Sequence, residues 1–88
     1  MKIHFFKPFV ELAGKEELEI PLEKPIEVKE LLERIQRRIP SFGPYIRKEG
    51  DEVLSFHVVL VRGNEILRLK DRVQENDRIK VLPPMSGG

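Results

Sequence analysis

The chain contains no cysteine, and that single absence removes disulfides, thiol nucleophiles and cysteine metal sites together. Histidine is nearly absent too: His4 and His57 are the only two. Each falls in a stretch that reads as a strand, where a packed or solvated imidazole is the ordinary outcome and a ligand or base the exceptional one. No metal constellation and no phosphate-binding glycine loop can be assembled. The acidic groups Glu16-Glu17, Asp51-Glu52 and Glu75-Asn76-Asp77 fall at turns without a neighbouring histidine, and are read as solvated surface. Charge of one sign is missing as well. Sixteen Lys and Arg stand against 15 Asp and Glu, a formal balance of +1, so pairs such as Arg37-Arg38 and Arg47-Lys48 give no electrostatic case for nucleic acid. Nor is there a long hydrophobic run. The apolar opening from Ile3 to Phe6 is broken by His4 and closed by Lys7, which argues against a signal peptide or a membrane span. The expected setting is therefore the cytoplasm. No repeat, low-complexity tract or enzyme active site is visible, and neither a resident cofactor nor a metal is expected.

What is present fits one small domain of 88 residues. Lys2 to Phe6 is rich in β-formers and reads as a first strand, with Ile3 and Phe5 on one face and His4 and Phe6 on the other. Pro8 to Lys15 ends in the turn signal Ala13-Gly14-Lys15, and Glu17 to Leu22 then alternates with period two, completing a hairpin. Val28, Leu31, Leu32, Ile35 and Ile39 follow a helical spacing, with charged residues filling the opposite side. Pro25 precedes this amphipathic helix and Pro40 ends it; Glu27 and Glu30 early and Arg37 and Arg38 late complement its dipole. Ser41 to Glu52 reads as a loop or a short helical turn. Val53 to Val61 reads as a third strand, and Arg62-Gly63-Asn64-Glu65 as the turn before Ile66. Asp71 to Asp77 is a polar connection, and Arg78 to Leu82 a last alternating strand stopped by Pro83. The class is α+β: a mixed sheet with one main helix packed on one face.

Residues 1–82 form the expected domain, and residues 83–88, Pro83, Pro84, Met85, Ser86, Gly87 and Gly88, an extended tail. At roughly 3.3 Å per residue such a tail reaches about 20 Å. A Gly-Gly end carries no side chain to block a narrow tunnel or to hinder attack at its carbonyl, which makes the Gly88 carboxylate the candidate reactive group. The bland counterpart is a frayed terminus. On the domain itself, Ile3, Phe5, Ile79 and Val81 are assigned inward, so Phe6 and Leu82 point outward. One alternate set of the third strand, Val58 and Leu60 or Val59 and Val61, must join them. Val58 and Leu60 are taken as the outward pair, and the four residues Phe6, Leu82, Val58 and Leu60 as a docking patch.

Two segments carry a family likeness. Ile3 to Gly14, IHFFKPFVELAG, is similar to the opening of the sulfur-carrier small subunit of molybdopterin synthase. Val73 to Gly88, VQENDRIKVLPPMSGG, resembles that family's ending, with Asp77, Val81, Pro83, Pro84, Gly87 and Gly88 on matching positions. Asn76 stands where the family usually has glycine and Met85 where it usually has valine; Asn tolerates the left-handed turn, and Met is adaptable in a groove. The resemblance implies a ubiquitin-like β-grasp fold in which the last strand lies beside the first. It also implies a route: an E1-like adenylating enzyme with ATP and Mg²⁺ joins Gly88 to AMP, a sulfur donor gives a C-terminal thiocarboxylate, and the tail enters the synthase large subunit to build the dithiolene of the molybdenum or tungsten cofactor. Catalytic side chains would belong to the partners. Other readings stand beside this one: a thiazole-synthesis sulfur carrier, a protein modifier joined to lysines through Gly88, or, from a different class, a plain interaction module with a passive tail.

Overall fold

A computed structural model describes residues 1–50 and 52–84. Its elements run β1 (Lys2–Phe5), α1 (Phe9–Ala13), β2 (Glu17–Glu19), β3 (Ile26–Glu27), α2 (Val28–Arg38), a 3-10 turn (Pro40–Tyr45), β4 (Ile46–Glu49), β5 (Glu52–Phe56), β6 (Val59–Arg62), β7 (Glu65–Ile66), β8 (Arg72–Val73) and β9 (Arg78–Leu82). The main sheet has the order β2-β1-β9-β6-β7. β1 lies antiparallel to β2, with Ile3 opposite Leu18, and parallel to β9, with Ile3 opposite Ile79 and Phe5 opposite Val81. This is the α+β arrangement expected, first and last strands side by side.

The core is wholly apolar among the described residues. Ile3 and Phe5 from β1, Ile79 and Val81 from β9 and Leu60 from β6 turn one sheet face toward Val28, Leu31, Leu32 and Ile35 of α2. That spacing of three, four and seven residues puts all four helical side chains on one stripe, each worth roughly 1.5–3 kcal/mol of burial. α2 starts without a side-chain cap. Its first amides are satisfied instead by the chain approaching β8: Val28 N–H donates to the Asp71 carbonyl at 2.9 Å and Lys29 N–H to that of Leu69 at 3.2 Å. At the other end Pro40 stops the helix and opens the 3-10 turn, which delivers Phe42 and Tyr45 to Phe9 of α1; Phe9 and Phe42 stack with ring centres 5.6 Å apart, and Tyr45 meets Phe9 edge-on at 4.9 Å.

Several boundaries differ from the sequence reading. The stretch before Gly14 is a one-turn helix, held because Phe9 is buried and Gly14 closes it at φ 73°. β1 ends at Phe5, although the Phe6 amide still donates to the Val81 carbonyl at 3.1 Å. β2 stops at Glu19, before Pro21. Val53 to Val61 is two strands in two different sheets: among the described residues β5 pairs with β4, whereas β6 pairs with β9 and β7. The segment between them is pinned by His57 N–H donating to the Tyr45 carbonyl at 2.8 Å. Within the polar connection, β8 pairs with β3 through Val73 and Ile26.

Candidate functional site

β9 is the central strand, and Pro83 and Pro84 leave directly from its end as exposed residues. Met85, Ser86, Gly87 and Gly88 lie outside the described residues, as does Asp51. Around the tail's origin, the sheet face turned away from α2 can be read row by row from the strand registers. Val59 lies opposite Leu82, Val61 opposite Lys80 and Ile66 opposite Val61. Phe6 is 38% exposed and Ile66 67% exposed, while Leu82, Val59 and Val61 are half-buried. They form an apolar stripe from the end of β1 to the β7 edge.

The outward pair expected at Val58 and Leu60 is corrected here. Leu60 is fully buried and Val58 is 5% exposed. Leu60 pairs with Val81, so the two share the inward face, and it is the other alternate set, Val59 and Val61, that faces out. Sequence reasoning also missed Ile66. Its signal was the two-residue Gly63-Asn64 turn, which places Arg62 opposite Glu65 and hence Val61 opposite Ile66.

Beside the stripe stands a column of bases: Lys2 and His4 on β1 face Arg78 and Lys80 on β9. On the far side, β2 sets Glu19 opposite Lys2 and Glu17 opposite His4, with His4 Nδ1 3.9 Å from a Glu17 carboxylate oxygen. The His4 ring lies 4.8 Å from that of Phe6. His57 is exposed. Among the described residues no group of three or more His, Asp or Glu is placed to hold a metal ion, and no helix is long and apolar enough to cross a membrane.

Two acids read from sequence as solvated are fasteners instead. One Asp77 carboxylate oxygen accepts from Arg62 Nη1 and from the Gln74 amide, both at 2.9 Å, and its side chain is only 13% exposed. Arg62 also donates to Glu65 and to the Arg72 carbonyl, and its pKa is raised, first by the Glu65 hydrogen bond and then by Asp77, with burial opposing. Glu75 accepts from the Leu22 amide and sits 3.3 Å from the Met1 amine. A groove of about 480 Å³ lined by Ile20, Pro21, Arg34, Arg37 and Arg38 borders α2, and none of the outward-face residues lines it.

The ThiS family model matches residues 3–88. The sulfur carrier protein TtuB of Thermus thermophilus is 55% identical over 31 residues, which cover 35% of this chain and 48% of that protein, so the match spans about half that relative's length. Among solved structures, the putative molybdopterin converting factor subunit 1 of Pyrococcus furiosus is 25% identical with TM-score 0.77, covering 96% of this chain and 95% of that one. The small archaeal modifier protein 1 of Methanosarcina acetivorans is 27% identical with TM-score 0.74, covering 99% and 94%.

Proposed function

The chain belongs to the ThiS family of ubiquitin-like sulfur carriers, and from that premise we propose that it is the sulfur-donating small subunit of a molybdopterin synthase, with Gly88 as its reactive end. The observation that carries the reading is the placement of Pro83 and Pro84: they leave the end of the central strand as exposed residues, beside an outward-facing, partly exposed apolar stripe on which a partner can seat while it takes in the tail. The likeness to the Pyrococcus furiosus converting factor supports it.

The chemistry follows from the end group. A carboxylate resists nucleophiles because its negative charge repels them. On an E1-like adenylating enzyme with ATP and Mg²⁺, a Gly88 carboxylate oxygen attacks the α-phosphorus and pyrophosphate leaves, giving an acyl-adenylate. Sulfide-level sulfur then attacks the carbonyl carbon and expels AMP, leaving the thiocarboxylate directly; a persulfide donor gives an acyl disulfide instead, which a second thiol reduces to the thiocarboxylate while forming a disulfide with the donor. Met85, Ser86 and Gly87 form the part of the tail that enters the partner. The large synthase subunit supplies acid and base for transfer of sulfur to the pterin precursor. Phe6 and Leu82, with Val59 and Val61 in place of Val58 and Leu60, supply the seat.

Incubation with the host's adenylating enzyme, ATP, Mg²⁺ and a sulfur donor should exchange one Gly88 oxygen for sulfur, read by intact-mass and peptide-fragment spectrometry. The product mixed with the large subunit and the pterin precursor should then convert that precursor to a dithiolene. A mass change at any other residue sinks the mechanism. A modifier is the second reading, favoured by the likeness to the Methanosarcina acetivorans protein; abundant isopeptide links from Gly88 to lysines without dithiolene would put it first.

A further inference from the structure

Cations on adjacent strands at the same level repel one another and destabilise a sheet, yet the outward face holds one such level in its middle, with a further lysine beside it. Lys2 lies opposite Arg78 and His4 opposite Lys80, on strands about 4.8 Å apart. The β1 members have acids on their other side, Glu19 and Glu17. The β9 members do not: Lys80 is followed by Val61, and neither Arg78 nor Lys80 makes an ion pair among the described residues. Shortage of acid is not the cause, since the chain carries 15 Asp and Glu against 16 Lys and Arg. The cations are kept where they cost stability, on the strand that leads into the tail.

We infer that Arg78 and Lys80 receive carboxylates from an acidic surface of the adenylating partner, which seats its apolar part on Val61 and Leu82 while the tail is engaged. This rests on the proposed function and names the chemistry of the partner's face. The surroundings select protein over nucleic acid: Glu17 and Glu19 on the same face repel phosphates, the flank toward β7 is apolar, and the net charge supplies no field to draw in a polyanion. An apolar centre beside charged groups is the anatomy of a protein interface, where complementary charge sets partner choice and association rate.

The test compares full-length wild type with Arg78→Glu and Lys80→Glu in calorimetric titrations against the host's adenylating enzyme, at low and at physiological salt. Arg37→Glu and Arg38→Glu on α2 serve as controls with the same change in net charge. Each β9 variant should bind at least about tenfold more weakly, the double β9 variant should lose most of its salt dependence, and both single variants should melt at the same temperature as wild type or higher, because Arg78→Glu relieves the repulsion with Lys2 and Lys80 has no ion pair to lose. A merely structural role would lower the melting temperature instead, and would overturn the inference. Equal weakening by the α2 controls would reduce the effect to net charge and also overturn it. So would loss of a self-associated species in sedimentation, or of binding to a single-stranded RNA oligonucleotide, with enzyme affinity unchanged. If the β9 variants bind and are adenylated normally, this inference fails and the sulfur-carrier reading stands; if wild type itself is never adenylated, both fall.

Discussion

Phe5 and Phe6 are neighbours with opposite surroundings. The Phe5 ring is 2% exposed among α2 and Phe42, and Phe6 lies on the outer face against His4. Phe5→Asp should abolish the folded circular dichroism signal, because it buries an unpaired carboxylate. Phe6→Asp should fold and weaken partner binding by at least roughly tenfold, as loss of an aromatic anchor does; exchange of the two outcomes would reverse the face assignment. Strict alternation made this pair legible. Val58 and Leu60 were not, because the alternation slips by one residue between β5 and β6: Val53 is buried at an odd position, Val58 and Leu60 at even ones, and nothing in a run of β-branched residues marks the slip. Glu75 was equally illegible, since its partners lie far away in sequence. Its pKa is lowered, first by the hydrogen bond from the Leu22 amide, with desolvation opposing and the Met1 amine adding a lesser pull in the same direction as Leu22. A folded value below the unfolded one means stabilisation that is complete above the unfolded carboxylate pKa and is lost as pH falls through the folded value. Glu75→Gln should therefore melt below wild type at neutral pH and converge with it in acid. Calorimetry across that range checks the sign, and a gap independent of pH would remove the carboxylate from the account.

At the scale of elements, legibility followed length. α2 declared itself because three turns of apolar spacing cannot be mistaken for alternation. α1 spans only Phe9 to Ala13, too short for a period to register, and is held by packing of Phe9 and by its terminating glycine. Gly14 has φ 73°, its amide donates to the Val10 carbonyl at 3.0 Å, and a Cβ there would touch nothing within 4 Å. The cost of Gly14→Ala is thus purely conformational, about 1 kcal/mol, and chemical denaturation should show a lower midpoint with unchanged slope. A change of slope would mean that the variant alters more than this cap. The β4–β5 hairpin escaped the sequence reading for a different reason: its outward residues Arg47, Lys48 and Glu49 carry no apolar alternation, and its inward anchors Ile46 and Val53 fall one at each end.

Across the whole molecule, pairing of β1 with β9 joins residues as distant in sequence as Ile3 and Ile79. Neither strand's own pattern says which neighbour it takes; the likeness of the chain's two ends to known sulfur carriers supplied that topology. The candidate site divides the same way. The Gly-Gly tail and the outward aromatic could be read from residue types, whereas the column of bases exists only once β1 and β9 are set in register. Its members look like ordinary solvated lysines and arginines in the sequence, and become a feature by juxtaposition.

The parallel pairing of β1 and β9 also has a mechanical consequence. A pull on the tail runs along β9, and with the opposing anchor at the start of β1 it slides the two strands past each other, loading every hydrogen bond between them at once. Lys2 and Arg78 instead sit at the same end of the pair, so tension between those two opens the bonds in succession, like a zipper. Because the native chain lacks cysteine, thiol handles can be placed one pair at a time. Single-molecule extension of Lys2→Cys/Leu82→Cys should rupture at a markedly higher force than Lys2→Cys/Arg78→Cys, and equal forces would show that this strand pair is not the clamp. Traction on the tail is then borne by the whole strand pair at once, and the fold holds against it.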